Sequence, residues 1–155
     1  MESRTLTEGE TGLCRSIFGD AIDYSRVRLI GRKWWPLQPR NTVMTPCGSL
    51  HFDPKGSAWS EDFSKESIGR QGLFIHEMTH VWQTQRKGRF YLPLMRHPFC
   101  RYDYAVRTGW PLQRYGLEQQ AEIVSHVFML RRGQGVRGIA PLAQLETILP
   151  FGDRR

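Results

Sequence analysis

The segment His76-Glu77-Met78-Thr79-His80 carries the densest chemistry in this chain of 155 residues. If it is helical, the two histidines lie one above the other on a single face. Two imidazoles at that spacing can hold one Zn²⁺, at about 2.0–2.1 Å each. Glu77 falls beside that face. From there it reaches a zinc-bound water without ligating the metal, which is where a general base belongs. The plain alternative is an amphipathic helix whose histidines only pack. Met78, Val81 and Trp82 point elsewhere on the helix and are expected in the core.

A catalytic zinc takes three protein ligands and keeps a fourth position open. The extended pattern HExxHxxGxxH is absent, because Gln83 stands at its glycine and Arg86 at its last histidine. The third ligand must lie farther along. After His80 the candidates are Asp103, Glu118, Glu122, Glu146, Asp153, His97 and His126. Asp153 is in the tail, Glu146 is on a short terminal helix, and His97 precedes Pro98 in a loop. Glu118 and Glu122 share one face of a predicted helix. Beside them Leu117, Ala121, Val124 and Phe128 form a stripe that can pack this helix on the zinc helix. One carboxylate would ligate, and the other would accept the ring N–H of a ligating histidine. A solvated charged face is the plain alternative for this pair.

Several elements must position these residues. Thr7 to Phe18 reads as a helix, with Thr7 as N-cap and Glu10 completing a capping box. Ile22 to Ile30 alternates as a strand. Thr42 to Phe52 reads as one or two strands interrupted by Pro46 and Gly48, at an edge or bulge. His51 is then an exposed strand residue. Ser64 to Lys87 is the strongest helix pattern, stopped by Gly88. Residues 89–115 form a long aromatic- and arginine-rich connection. Leu117 to Arg132 is the glutamate helix, and Pro141 to Leu149 a short terminal one.

HEMTHVWQ followed by a LEQQAE helix resembles the gluzincin branch of zinc metallopeptidases. More narrowly, the chain is similar to small bacterial Vgr-related and Rhs-element-associated proteins. These are similar in turn to the HExxH domains of polymorphic toxins and contractile injection systems. The opening LTEGETGLCRSIFGDAIDYSRVRL shares the likeness, which spans roughly residues 5 to 132. The resemblance implies that Glu118 is the third zinc ligand and that Glu122 supports a histidine. Gluzincins commonly have Asp at the latter position. It also implies an oxyanion-stabilising Tyr or His from outside the zinc helix. Tyr102, Tyr104, Tyr115 and His126 are available, with Tyr104 preferred. The fold expected is α+β, a compact minimal gluzincin. It would have a small, mostly antiparallel sheet, the zinc helix and a downstream glutamate helix.

Length and composition fit one domain, residues 1–155 with a core from about 5 to 150. Hydrophobic residues are 39% and charged residues 24%. No apolar run approaches the ~18 residues of a membrane span, so no membrane partner is expected. No basic-then-apolar leader opens the chain, which points to the cytoplasm or to export by a dedicated secretion system. Three scattered cysteines make neither a disulfide framework nor a cysteine zinc site. Of 22 cations 18 are arginine, spread along the chain. Residues 89–115 hold five arginines against one acid, Asp103. Interleaved aromatics there could stack bases. The segment nevertheless lies between the zinc histidines and the glutamates, so it is read as a wall of the cleft and nucleic acid is not the expected partner. A peptide or protein substrate with acidic residues is, together with a secretion-system or toxin-associated partner.

Two functions remain from the sequence. One is a Zn²⁺-dependent peptidase in which Glu77 activates the zinc-bound water. The other is a non-catalytic, zinc-stabilised accessory module.

Overall fold

A computed structural model describes residues 3–151. The chain runs β1 (Ser3–Thr5), α1 (Glu8–Phe18), β2 (Arg28–Ile30), β3 (Leu50–His51), α2 (Ile68–Lys87), α3 (Tyr91–Met95), α4 (Leu117–Arg131) and α5 (Leu142–Glu146). Short 3₁₀ turns sit at Tyr24–Arg26, Phe63–Lys65 and Leu112–Arg114. The class is α+β, with the HExxH helix and a downstream glutamate helix as its main bodies.

The sheet is mixed. β1 pairs antiparallel with β2, and β2 pairs parallel with β3. The mostly antiparallel sheet expected from the sequence is corrected at this second pairing. Parallel neighbours need a long connection, and residues 31–49 supply one without a helix. His51 also exchanges both main-chain hydrogen bonds with Met44, at 3.1 and 2.8 Å. Thr42 to Phe52 is therefore one bridge and one short strand. The His51 ring is half-buried, not exposed. The predicted strand from Ile22 starts only at Arg28. Asp23 accepts a hydrogen bond from the Ser25 amide at 3.2 Å and turns the preceding residues into 3₁₀.

The N-terminus of α1 follows the sequence. Thr7 Oγ1 accepts from the Glu10 amide at 3.0 Å, and Glu10 Oε2 accepts from the Thr7 amide at 2.9 Å. Glu10 is fully buried and also accepts from Arg4 and from the Phe63 amide. One capping carboxylate thus ties together β1, α1 and the loop entering α2.

α2 is the centre of the molecule. It is buried from Gln71 to Thr84 except at Leu73. A helix enclosed this way normally reads as apolar all round, yet this one carries His76, Glu77, Thr79, His80 and Gln83 inside. Burial of polar groups costs stability unless they find partners, and each of these five does. Phe63 stacks on Phe74 at 5.0 Å and seats one flank of α2. α4 packs antiparallel on another flank. Gly72 makes the approach close: a Cβ there would stand 2.7 Å from Met129 Sδ. Ser125 Oγ donates to the Gly72 carbonyl across the gap at 2.7 Å. This contact sets the spacing of the two helices and leaves Glu118 opposite His76 and His80.

Candidate metal centre

His76 and His80 rise from α2, and Glu118 from the first turn of α4. No side chain caps that turn at Gly116, but Gln119 Oε1 accepts from the Gly116 amide at 2.8 Å. Glu118 Oε2 lies 3.1 Å from both His76 Nε2 and His80 Nε2. The three donor atoms lie within 4.8 Å of one another, and all three residues are buried. A tetrahedral centre with bonds of about 2.0–2.1 Å places its donors roughly 3.3 Å apart. The spacing and the donor set, two imidazoles and a carboxylate, therefore suit zinc.

The outer ring nitrogens are also committed. His76 Nδ1 is 2.9 Å from Glu122 Oε1, and His80 Nδ1 is 2.8 Å from Gln83 Oε1. Gln83 Nε2 donates to the Leu117 carbonyl and to Gln120 Oε1, so its oxygen is the atom facing His80. With a metal bound, both histidines would carry the proton on Nδ1 and present Nε2 as a lone pair. Glu122 continues outward. Its Oε2 is 3.2 Å from His126 Nε2, and His126 Nδ1 accepts from the Tyr104 hydroxyl at 2.7 Å.

The charges belong together. Burial opposes a proton on His76, but its hydrogen bonds to the Glu118 and Glu122 carboxylates raise its pKa to about 10. Burial likewise opposes the Glu118 charge, yet His76, His80 and Arg96 hold its pKa well below the carboxylate range. Hydrogen bonds from His126 and His76 hold Glu122 at about 2. Without a metal, a proton on His76 is the cation this cluster draws in. A divalent ion is the better match to two carboxylates. Arg96 Nη2 stands 3.0 Å from Glu118 Oε1, close enough for attraction but not aligned as a donor, so this buried oxygen lacks a hydrogen bond among the described residues.

A cleft of about 390 Å³ reaches the cluster. His76, Glu77, Arg96 and Tyr102 line it, and Asn41 to Val43 form one rim. Thr45 Oγ1 donates to Glu77 Oε2 at 2.5 Å. The Tyr102 ring lies nearly parallel to that of His76, with centroids 6.1 Å apart. Its pKa is raised by burial and by the Glu118 charge, so it keeps its proton at neutral pH.

The structure thus brings together His76, His80, Glu118 and Glu122, with Glu77 on the same cleft. It does not bring Tyr104 to them: His126 and Glu122 stand between that hydroxyl and His76. Tyr102 and Arg96 hold the near positions instead. Sequence reasoning gave no role to Gln83, although its place one turn beyond His80 was a usable signal. Thr45 and Arg96 gave none, since only the tertiary fold brings them in.

No family model matches the chain. It is 43% identical over 135 residues to the type VI secretion system spike protein VgrG2b of Pseudomonas aeruginosa. That match covers 81% of this chain and 13% of the spike protein, so the chain spans a small part of the curated relative's length. Among solved structures, the effector domain of Pseudomonas aeruginosa VgrG2b superposes with a TM-score of 0.76 at 36% identity, covering 94% of this chain and 83% of that domain. The chain belongs to the VgrG2b effector-domain family. Within the family framework, the buried His-His-Glu cluster fits a zinc site of HExxH type.

Proposed function

We propose that the chain is a zinc-dependent peptidase of compact gluzincin type, its 155 residues forming one zincin-like domain. One observation carries the reading: three buried donor atoms converge, and Glu77 lines the cleft that reaches them. His76, His80 and Glu118 would hold the ion, and Glu122 and Gln83 orient the two rings. When bound, zinc supplies a Lewis acid that polarises the scissile carbonyl and acidifies water. Glu77 takes the proton of the attacking water and returns it to the leaving amine. Thr45 holds one carboxylate oxygen of Glu77 and leaves the other for that transfer. Tyr102 and Arg96, rather than Tyr104, supply the donors that face the developing oxyanion. The main chain at Val43, whose N–H and C=O have no partner among the described residues, would pair with an extended peptide along the rim.

Kinship with the effector domain of a secretion-system spike supports delivery by such an apparatus to a peptide or protein target. The surplus of arginine over acid in residues 89–115 favours acidic side chains in that target.

Glu77→Gln tests the mechanism. The variant should keep about one zinc per chain and lose cleavage by at least about 100-fold. Cleavage at the parent rate would end this mechanism. A wild type that binds zinc but cleaves no peptide would leave the non-catalytic, zinc-stabilised accessory module as the reading.

A further inference from the structure

The exposed apolar side chains are not scattered. Among the described residues nine large hydrophobics are exposed, and all but Leu73 fall in two segments, loop 34–37 and residues 90–102 with α3. Phe90, Leu94, Met95 and Phe99 are 53–85% exposed. Single exposed apolar residues need no explanation, but a concentration of them does. Leu92 is buried and anchors α3, so its neighbours are held outward by the fold. Trp34 and Arg89 line one cleft of about 570 Å³, which sets the second loop, Trp34, Trp35 and Leu37, beside the first.

The charge around these side chains has one sign. Residues 86–101 contain Arg86, Lys87, Arg89, Arg96 and Arg101 and no acid. Arg96 is engaged by Glu118, and Arg101 by Asp103 at 3.1 Å. Arg86, Lys87 and Arg89 have no acidic partner within 4.0 Å among the described residues. Arg26 lies on the cleft with Arg89.

We propose that this face docks on an anionic lipid bilayer, with Phe90, Leu94, Met95, Phe99 and the tryptophan loop entering the interface and Lys87 and Arg89 meeting lipid phosphates. Aromatic and aliphatic side chains take up the boundary between headgroup and acyl chain, and adjacent cations add attraction to anionic lipid. A second copy of the chain is a poorer occupant, because it would oppose two acid-free cationic segments across one contact. A groove-binding protein is poorer too, since side chains this exposed project singly rather than wall a groove. The sequence reading named no membrane partner because it looked for a span. Among the described residues no helix is long and apolar enough to cross a membrane, and surface docking needs none. The face adjoins Arg96 and Tyr102, so docking would bring the metal cleft close to the lipid surface.

Flotation of the zinc-loaded chain with vesicles tests this independently of cleavage. Vesicles of phosphatidylglycerol and phosphatidylcholine should carry the chain upward, and pure phosphatidylcholine should carry at least tenfold less. Lys87→Gln and Arg89→Gln should each weaken binding about fivefold. Leu94→Ser with Phe99→Ser, both at solvent-exposed sites, should weaken it at least tenfold with an unchanged circular dichroism spectrum. Three results would overturn the proposal. One is a wild type that stays at the bottom with anionic vesicles. Another is binding untouched by the Leu94 and Phe99 changes, which would mean charge adsorption alone. The third is a lipid-free dimer, seen by sedimentation, that these two changes dissolve.

Discussion

The four ring nitrogens of His76 and His80 divide between two tasks, two facing Glu118 and two facing outward partners. Those outward partners differ in kind. His76 leans on a carboxylate, Glu122, and His80 on an amide, Gln83. A carboxylate makes the ring the more electron-rich ligand, so the two histidines are not equivalent. Glu122→Gln keeps the shape and removes the charge. It should weaken zinc binding about 10- to 100-fold in competition with a fluorescent chelator. Glu118→Ala removes a donor atom and should cost far more in the same assay. At this scale the sequence was legible where residue type and helical spacing alone decide the chemistry: His76, Glu77, His80 and the acid pair. Arg96 and Tyr102 share the 89–115 connection, which the sequence marks as a wall of the cleft without singling out Arg96. Thr45 was not legible because it comes from a separate loop that shares no spacing with the motif.

Among the elements, the joint between α1 and the loop before α2 rests on Asp62. Its carboxylate accepts from Ser64 Oγ at 2.6 Å, from the Ser64 amide at 3.0 Å and from Thr7 Oγ1 at 3.0 Å. The Ser64 hydroxyl bond, then Thr7 and the Ser64 amide, depress its pKa below the ordinary 3.8. A depressed carboxylate stabilises the fold above its unfolded pKa and loses that contribution as pH falls through the folded one. Asp62→Asn should therefore lower stability at pH 7 and pH 5. The gap to the parent should shrink below pH 4, read from urea melts across the series. α2 begins at Ile68 behind the Ser67 cap and not at Ser64, where Phe63–Lys65 form a 3₁₀ turn. Three other helix boundaries were readable because caps are local: Thr7 with Glu10, Gly88 after α2 and Gly116 before α4. Strands were not. β1 is Ser-Arg-Thr, with no apolar alternation to mark it, and the parallel pairing of β2 with β3 is set by a distant loop. The short helix α3 hid in a proline-rich stretch, where Leu92 alone gives it a buried face.

The whole molecule is built around a polar helix in its core, so the metal and the fold should be coupled. An ion that binds only the native state, present at 1,000 times its Kd, adds about 4.1 kcal/mol. For a chain of this size each kcal/mol is worth roughly 2–4 °C. Chelation should therefore lower Tm by about 10 °C, measured by calorimetry with and without a chelator. A change below about 2 °C would mean that the native cluster does not hold the ion tightly.

The close contact at Gly72 has a further consequence. α2 and α4 carry every proposed ligand, and they meet directly through Gly72, Ser125 and Met129 rather than through the chain that joins them. Residues 88–116 link the two helices in sequence without being what holds them in register. Covalent continuity there should therefore be dispensable to the ligand cluster, provided the segment stays packed in place. A single cut at the exposed Arg107–Thr108 bond should give two bands on a denaturing gel but one particle on gel filtration, still carrying its zinc. That outcome would make the protein two complementary fragments that happen to be made as one.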